Sequence, residues 1–350
     1  YHHSTHTYNV DKLMEGMKKS IEYYNELYGP YPYLQCRILE FPYGSYAASF
    51  PNTIPFSENI GFVLDVDPED PEDLDMPFWV TAHEMGHQWW PHQVSGGNVQ
   101  GSGFLSEGLA EYSAVSLLEK EKGEKQLRKF LKYELDKYLI GRYTEQKFEP
   151  TIVQTENHPY IHYNKAGLMM YTLSDFIGKD VLNKALGMFI ERFRYQSDPY
   201  TNIGEFVNTI REDTPDDLQY LLTDTFEKIT LYENKAKEAS AVENEDGTFT
   251  VTIEVEAKKV YSDSLGNQTN AELNDWLEIG VLGETLVNND MEEIPIYLEK
   301  VLIADSLTTF TVQVDQKPIK AGIDPMHKFV DRDSDDNLVR VIIEDGKKSQ

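Results

Sequence analysis

The chain of 350 residues is poor in cysteine and in basic residues, and it has no long apolar run. Its single cysteine, Cys36, excludes an internal disulfide and says little about the redox compartment. Lysine and arginine number 32 against 60 aspartates and glutamates, so the charge of −28 disfavours nucleic acid and anionic lipid as partners. No apolar run approaches the roughly 20 residues of a membrane helix, and the opening YHHSTHTYNV does not resemble a signal peptide. The chain as given is therefore expected to be soluble.

The composition predicts sizeable hydrophobic cores, and the length predicts more than one of them. Hydrophobic residues make up 40% of the chain, and 350 residues exceed the size at which a single core usually stops growing. Helical periodicity dominates the middle of the chain, whereas its last third alternates between turns, as in an antiparallel sandwich. We expect an α+β chain with a domain at 1–238 and a β-rich C-terminal domain at 239–350. The first would comprise a small β part at about 1–75 and a helical part at about 76–238.

Three local patterns predict helices and strands of the first domain. Apolar residues at helical spacing predict an amphipathic helix over residues 11–28, with a stop at Gly29 and Pro30. The segments LQCRILEFP and TIPFSENIGFVLDV predict short strands. The segment DLQYLLTDTFEKITLYENKAK predicts the last helix of the domain.

The segment VTAHEMGHQWW contains the spacing of a catalytic zinc site. Residues four apart lie on one helix face, so His83 and His87 can bind one metal ion, with Glu84 beside it as a general base. Such a pattern occurs by chance in about one chain in a hundred of this length, so two histidines with ordinary local hydrogen bonds are the alternative. A catalytic zinc needs a third protein ligand. The candidates are Glu107 and Glu111, one turn apart in FLSEGLAEYSA.

HEMGHQWW followed by FLSEGLAEY resembles the gluzincin metallopeptidases of the aminopeptidase N family. The resemblance implies one Zn²⁺ ion held by His83, His87 and Glu107, with Glu84 as the general base. Ser106 stands where the family has asparagine, and the spacer before Glu107 is one residue longer than usual. A glycine-rich connector, SGGNVQGSG, absorbs such an insertion.

Two further residues follow from this resemblance. The family stabilises the oxyanion with a tyrosine from a Y-E-K-G motif, and YNKAG lies at the expected place, which makes Tyr163 the catalytic candidate. Glu111 is a candidate to orient a ligand histidine from behind. A helix-surface carboxylate is the open alternative for Glu111, and core packing is the alternative for Tyr163.

The sequence departs from the family at the substrate end. Classical members carry G-A-M-E-N, whose glutamate binds the α-amine of the substrate, but the matching stretch here is ASFPN, with Pro51 at the glutamate position. Proline offers neither a charge nor an N–H. Asn52, which matches the motif's asparagine, and Glu58 are the candidate substrate-binding residues. Exopeptidase or endopeptidase specificity stays open.

The resemblance implies a thermolysin-like catalytic domain, with a small sheet and a mainly helical lobe, followed by a C-terminal β-sandwich-like domain. The implied function is peptide-bond hydrolysis by a metal-activated water, aminopeptidase-like in type. The phrase AGIDPMHKFVDRDSDDN is similar to a bacterial subgroup in which such a domain is joined to an ABC-transporter-type permease. We therefore expect an extracytoplasmic or membrane-tethered domain of a longer bacterial protein. A catalytically silent, zinc-containing peptide-binding or regulatory domain of a membrane transporter is the alternative.

Other histidines leave two interpretations open. His2, His3 and His6 cluster near the start, where a metal-binding segment and a disordered or strand-end segment are both compatible with the pattern. His92 lies five residues beyond His87, so it is too far round the helix to complete the same face.

Overall fold

A computed structural model of the chain describes residues 1–42, 44, 46–67, 70, 73–287 and 290–344. The chain divides into two compact units, Tyr1–Lys228 and Ile229–Gln350. The division lies ten residues before the expected boundary, because the segment predicted as the last helix becomes a long strand from Ile229. Its alanine, lysine and glutamate residues favour a helix, but antiparallel pairing with the next strand of the chain, Phe249–Ser262, outweighs that local preference.

The first unit is mainly helical. Its helices are α1 (Val10–Tyr28), α2 (Met76–Gly86), α3 (Leu109–Thr144), α4 (Ala166–Ile177), α5 (Lys179–Phe193), α6 (Ile203–Asp213) and α7 (Gln219–Leu222). The amphipathic helix predicted over residues 11–28 is α1, and Gly29 follows it directly. Helix α3 is interrupted at Gly123, where the backbone leaves helical geometry. Among the described residues, no helix is both long and apolar enough to cross a membrane.

A small sheet precedes α2. Its strands β1 (Arg37–Phe41) and β2 (Thr53–Ser57) are parallel. The edge segment, residues 46–50, runs antiparallel to β2, since the Ala48 N–H donates to the Pro55 carbonyl at 3.1 Å and the Ser57 N–H donates to the Tyr46 carbonyl at 2.9 Å. The second predicted strand is therefore shorter than expected, because the chain enters a π-helical turn at Glu58.

The core of the first unit surrounds α2. Trp89, just beyond α2, is fully buried and makes an edge contact with Tyr24 of α1, with ring centroids 5.6 Å apart. Gly86 allows a close approach to α3, because a Cβ atom there would lie 3.1 Å from the Ala110 Cα atom. This packing brings the two helix segments that carry the predicted metal ligands together.

The described part of the second unit is built from strands. They are β3 (Ile229–Glu243), β4 (Phe249–Ser262), β5 (Gln268–Asn270), β6 (Asp275–Val287), β7 (Asp290–Ile303), β8 (Leu307–Val314), β9 (Lys320–Ile323), β10 (Leu338–Arg340) and β11 (Ile342–Glu344). One sheet has the order β10-β9-β6-β7; the other has the order β11-β3-β4-β5, with β8 also paired to β4. The pairings are antiparallel except that of β11 with β3. Alternating buried positions along β4 match the predicted alternation.

Candidate active site and metal centre

The two histidines of the zinc pattern meet at the end of α2. His83 lies in the last turn of α2, and His87 continues the helical backbone just after it. Both side chains are buried, and their ring centroids are 4.7 Å apart with perpendicular planes. The predicted convergence of the two imidazoles is therefore present in the structure.

Glu107 reaches the same point from the next helical segment. It lies on a π-helical turn, Phe104–Gly108, that leads directly into α3. Its Oε2 atom is 3.4 Å from His83 Nε2 and 3.1 Å from His87 Nε2. The other carboxylate oxygen, Oε1, accepts a hydrogen bond from the Ser106 hydroxyl at 3.1 Å.

The far side of each imidazole faces an acceptor. His83 Nδ1 lies 2.8 Å from Glu111 Oε2, and His87 Nδ1 lies 2.6 Å from the Trp90 carbonyl oxygen. These acceptors favour the tautomer with the proton on Nδ1, which leaves a lone pair on each Nε2 atom. The geometry therefore places Glu111 where the sequence predicted an orienting carboxylate, behind a ligand histidine.

Glu111 is itself fixed by its surroundings. It is buried, and its Oε1 atom accepts a hydrogen bond from Trp79 Nε1 at 3.1 Å. Gly167, the glycine of YNKAG, leaves room for it, because a Cβ atom at that position would lie 2.5 Å from Glu111 Cγ. A glycine from one predicted motif thus accommodates a carboxylate from the other.

The three facing atoms fit a zinc ion. With both Nδ1 atoms protonated, the Nε2 atoms of His83 and His87 and Oε2 of Glu107 are all acceptors, and Glu107 Oε2 has no hydrogen-bond donor among the described residues. A cation between them resolves that conflict. Atoms bonded at about 2.1 Å to one tetrahedral zinc lie about 3.4 Å apart, close to the observed 3.1 and 3.4 Å.

The charges of Glu107 and of the adjacent histidines strongly affect one another's pKa values. Burial alone would raise the pKa of the Glu107 carboxyl, but the two adjacent imidazoles outweigh burial and hold that pKa well below its usual range. Burial alone would lower the pKa of His83, but Glu107 and Glu111 raise it well above its usual value. Metal binding would replace this proton-mediated pairing, because a ligand imidazole must be neutral.

Glu84 lies beside the three atoms. Its side chain is buried, one carboxylate oxygen is within 4.8 Å of the histidine ligand atoms, and Oε2 has no hydrogen-bond donor among the described residues. Burial raises the pKa of this carboxyl, and the nearby imidazoles partly oppose the shift. A raised pKa moves a carboxylate toward the range of a general base that can also return a proton.

Tyr163 borders the same point from a third segment. It lies on a π-helical turn, Tyr160–Lys165, that leads into α4, and its ring stacks on His83 with centroids 5.7 Å apart. Burial, followed by the neighbouring Glu107, raises the pKa of the phenol well above its usual value. The hydroxyl therefore stays protonated at neutral pH and can donate a hydrogen bond.

These residues open onto one cavity of about 510 Å³. Its walls are formed by Tyr46, Ala47, Ala48, Ser49, Ile60, Trp79, Val80, His83, Glu84, His87, Pro91, His92, Ser106, Glu107, Glu111 and Tyr163. The edge segment therefore forms one wall and the end of α2 forms the floor. A concave pocket with a few convergent polar groups is typical of small-molecule and peptide sites.

Both predicted substrate-binding residues lie outside this wall. Asn52 has a φ of 55°, which asparagine tolerates, and it occupies the turn between the edge segment and β2. Glu58 follows β2 in the π-helical turn, and its Oε2 atom lies 3.9 Å from His6 Nδ1. Neither is among the described residues that line the cavity. Their role in substrate binding stays a prediction.

Two residues at the site, Gln88 and His92, were not among the predicted site residues. Gln88 is buried and joins the end of α2 to the edge segment, since its Nε2 atom donates to the Ser49 hydroxyl at 2.6 Å and its Oε1 atom accepts from the Asn52 N–H at 2.9 Å. His92 lines the cavity because α2 ends at Gly86 and the chain then turns. Burial, followed by His87, lowers the pKa of His92 to about 4. Only adjacency to the zinc pattern could have indicated these two residues.

Comparisons with known proteins concern the family and the fold of the chain. The chain matches the model of the peptidase family M1 domain over residues 12–226, and no curated protein matches it in sequence. It is similar to a solved structure of aminopeptidase A from Legionella pneumophila in complex with aspartic acid, with 16% identity, a TM-score of 0.53, and coverage of 97% of this chain and 35% of that one. It is also similar to an M1 zinc metallopeptidase from Deinococcus radiodurans, with 14% identity, a TM-score of 0.47, and coverage of 64% of this chain and 46% of that one. The Legionella likeness concerns the fold, and this chain spans about a third of that protein's length.

Proposed function

Because the chain belongs to peptidase family M1, we propose that it is a zinc-dependent metallopeptidase with an aminopeptidase-like active site. The observation that carries the proposal is the set of three acceptor atoms, on His83, His87 and Glu107, that face one another beside the buried Glu84. Three protein ligands leave the fourth position of one zinc ion open, as in catalytic sites, whereas structural zinc sites are closed by four.

Each residue of the site has a separate role in the proposed hydrolysis. Zinc, when bound by the two histidines and Glu107, supplies Lewis acidity to a scissile carbonyl and lowers the pKa of water. Glu84 accepts a proton from the attacking water and delivers it to the leaving amine nitrogen. Tyr163 donates a hydrogen bond to the oxygen on which negative charge develops. Glu111 keeps the His83 ring in the orientation and tautomer that a metal ligand requires.

The edge segment offers a place for the substrate backbone. Ala47 lies opposite Phe56 of β2, between the two hydrogen bonds that join the edge segment to that strand. Its own N–H and C=O therefore point away from β2, because these groups alternate along an antiparallel pair. Since Ala47 also lines the cavity, an extended peptide can pair with it there.

The residues that line the cavity support hydrolysis that does not depend on a free α-amine of the substrate. Among the described residues lining the cavity, the carboxylates are Glu84, Glu107 and Glu111, and each belongs to the metal centre. Pro51 carries no charge, so it cannot replace the amine-binding glutamate of classical relatives. We therefore expect the aminopeptidase-like site to accept blocked peptides.

A panel of fluorogenic peptides with free and N-acetylated termini tests both parts of this proposal. We expect zinc-replete protein to cleave both forms, with kcat/KM values within about tenfold of each other, since a site built to bind the ammonium would discriminate by roughly 10² or more. Cleavage of the free-amine form alone would contradict amine independence while leaving the peptidase in place. No cleavage of either form would contradict the peptidase and favour the catalytically silent alternative.

Replacing Tyr163 by phenylalanine tests the oxyanion role. We expect kcat to fall by about 10²- to 10³-fold, the usual cost of losing one such donor, with zinc content unchanged. Tyr160→Phe is the matched control, because Tyr160 precedes it in the same turn and its hydroxyl faces Glu145 at 3.5 Å. Steady-state kinetics of both variants provide the measurement. Equal kcat values for the two variants would exclude the proposed donor.

The resemblance of the C-terminal phrase supports one further proposal, on setting. We propose that the domain acts in an extracytoplasmic or membrane-tethered position, as part of a longer bacterial protein with a permease portion. Fractionation of native cells followed by immunoblotting tests it. Recovery of the native protein in the cytosolic fraction alone would contradict this setting.

A further inference from the structure

A second group of side chains of the types that bind metal ions lies away from the candidate active site. His6 belongs to the segment before α1, Glu40 to β1, and Glu58 to the turn after β2. A ligand atom from each lies within 4.8 Å of the others. None of the three is among the described residues that line the active-site cavity.

The small sheet explains why the two carboxylates are neighbours. Strands β1 and β2 are parallel, and Glu40 pairs with Phe56 in their register. Glu58 follows Phe56 by two positions and begins the π-helical turn after β2, which brings one of its carboxylate oxygens within 4.8 Å of a Glu40 carboxylate oxygen. The Glu40 side chain is only 7% exposed, whereas that of Glu58 is 38% exposed. The Glu40 carboxylate is thus the less accessible of the two, and the Glu58 carboxylate lies on the solvent side of the cluster.

The amino-terminal segment supplies one imidazole and one backbone N–H to this pair. His6 Nδ1 contacts Glu40 Oε1 closely and lies 3.9 Å from Glu58 Oε2. The backbone N–H of His3 donates to the other Glu40 oxygen, and the His3 ring lies 4.9 Å from the His6 ring. Two of the histidines near the start of the sequence, His3 and His6, are therefore folded against Glu40.

One imidazole cannot satisfy both carboxylates. His6 Nδ1 carries at most one proton, which can be donated to a single carboxylate, and 3.9 Å exceeds a hydrogen-bond distance to Glu58. Two carboxylate charges thus face at most one imidazolium charge in a chain whose net charge is −28. A divalent cation would neutralise both carboxylates and accept the imidazole lone pair at the same time.

We propose that His6, Glu40 and Glu58 bind a second zinc ion, distinct from that of the active site. Mixed imidazole and carboxylate donors are typical of zinc sites, whereas calcium and magnesium prefer oxygen ligands alone. The ion would connect residues 1–9 with β1 and with the turn that follows β2. The turn begins directly after Ser57, the last residue of β2. The Ser57 N–H donates to the Tyr46 carbonyl, so the turn lies next to the point where β2 pairs with the edge segment.

Metal content of the chain without an added histidine tag tests the proposal. We expect two zinc ions per chain, measured by elemental analysis after zinc loading and desalting. His6→Ala, Glu40→Gln and Glu58→Gln should each retain one ion. His2→Ala should retain two, because His2 belongs to the same segment but its Nδ1 atom faces the His3 carbonyl. One ion in the wild type, unchanged by His6→Ala, would overturn the proposal.

Calorimetric titration of zinc alone separates the two sites. A protein with His83→Ala and His87→Ala should bind one ion, and Glu58→Gln in that background should weaken binding by more than the roughly 10- to 100-fold that loss of an outer partner costs. Zinc binding that needs the histidines but neither carboxylate would indicate a loose histidine cluster and overturn the site. If the double variant does not fold, the single substitutions in the wild-type background decide the same question.

Discussion

Glu107→Ala is expected to lose the active-site zinc and reduce peptide hydrolysis by roughly 10³-fold or more. Metal ions contribute several kcal/mol to transition-state stabilisation, and each ~1.4 kcal/mol is a tenfold change in rate. Glu107 is the ligand that faces both imidazole Nε2 atoms, at 3.4 and 3.1 Å. Without it, two neutral imidazoles provide one ligand fewer than catalytic zinc sites use.

Elemental analysis and steady-state kinetics measure these two losses together. The variant should hold one zinc fewer than the wild type, and zinc should no longer raise the Tm through this site, because ligand binding stabilises the folded state by mass action. Glu124→Ala is the control, since Glu124 is an exposed carboxylate on α3. Wild-type zinc content together with wild-type turnover in Glu107→Ala would exclude Glu107 as a ligand.

Glu84→Gln is expected to lower kcat by about 10²- to 10⁴-fold while zinc content stays unchanged. Glutamine has the same size as glutamate but cannot accept a proton from water at neutral pH. The substitution therefore separates proton transfer from metal binding. It also distinguishes the peptidase from a zinc-containing silent domain, which has no use for a base at this position.

The measurement for Glu84→Gln is single-substrate kinetics on any peptide that the wild type cleaves, with Tm and zinc content as controls. Turnover equal to that of the wild type would exclude Glu84 as the general base. Loss of zinc along with activity would instead indicate that Glu84 binds the metal, in place of the role proposed for Glu107.

Short-range spacing predicted much of this site. Two histidines four apart on a helix must share a face, so the convergence of His83 and His87 needed no knowledge of the rest of the chain. The choice between Glu107 and Glu111 was harder, because both lie on one segment, one turn apart. In the structure Glu107 faces the Nε2 atoms and Glu111 faces the Nδ1 atom of His83, so the two carboxylates contact opposite sides of the imidazoles.

Predictions that depended on where an element ends were weaker. The strand predicted over TIPFSENIGFVLDV includes Glu58, but β2 ends at Ser57 and the turn brings Glu58 near His6. The substrate-binding role of Glu58 stays a prediction. His92 was judged too far round the helix to join the face of His83 and His87, and it is not in their metal-binding group. It nevertheless lines the cavity, because α2 ends at Gly86 and the chain then turns. Termini of helices and strands are decided by capping and packing as well as by periodicity.

The sequence by itself determined the residues of the candidate metal centre: the two histidines at helical spacing, the carboxylates one helical segment later, and the tyrosine of YNKAG. These features depend on local helix geometry and on the order of motifs along the sequence. Only the tertiary structure decided which carboxylate faces which imidazole nitrogen, that Gln88 joins the end of α2 to the edge segment, and that β3 begins at Ile229. The physical reason is that these outcomes depend on contacts between residues far apart in the chain, where pairing and packing energies outweigh local preference.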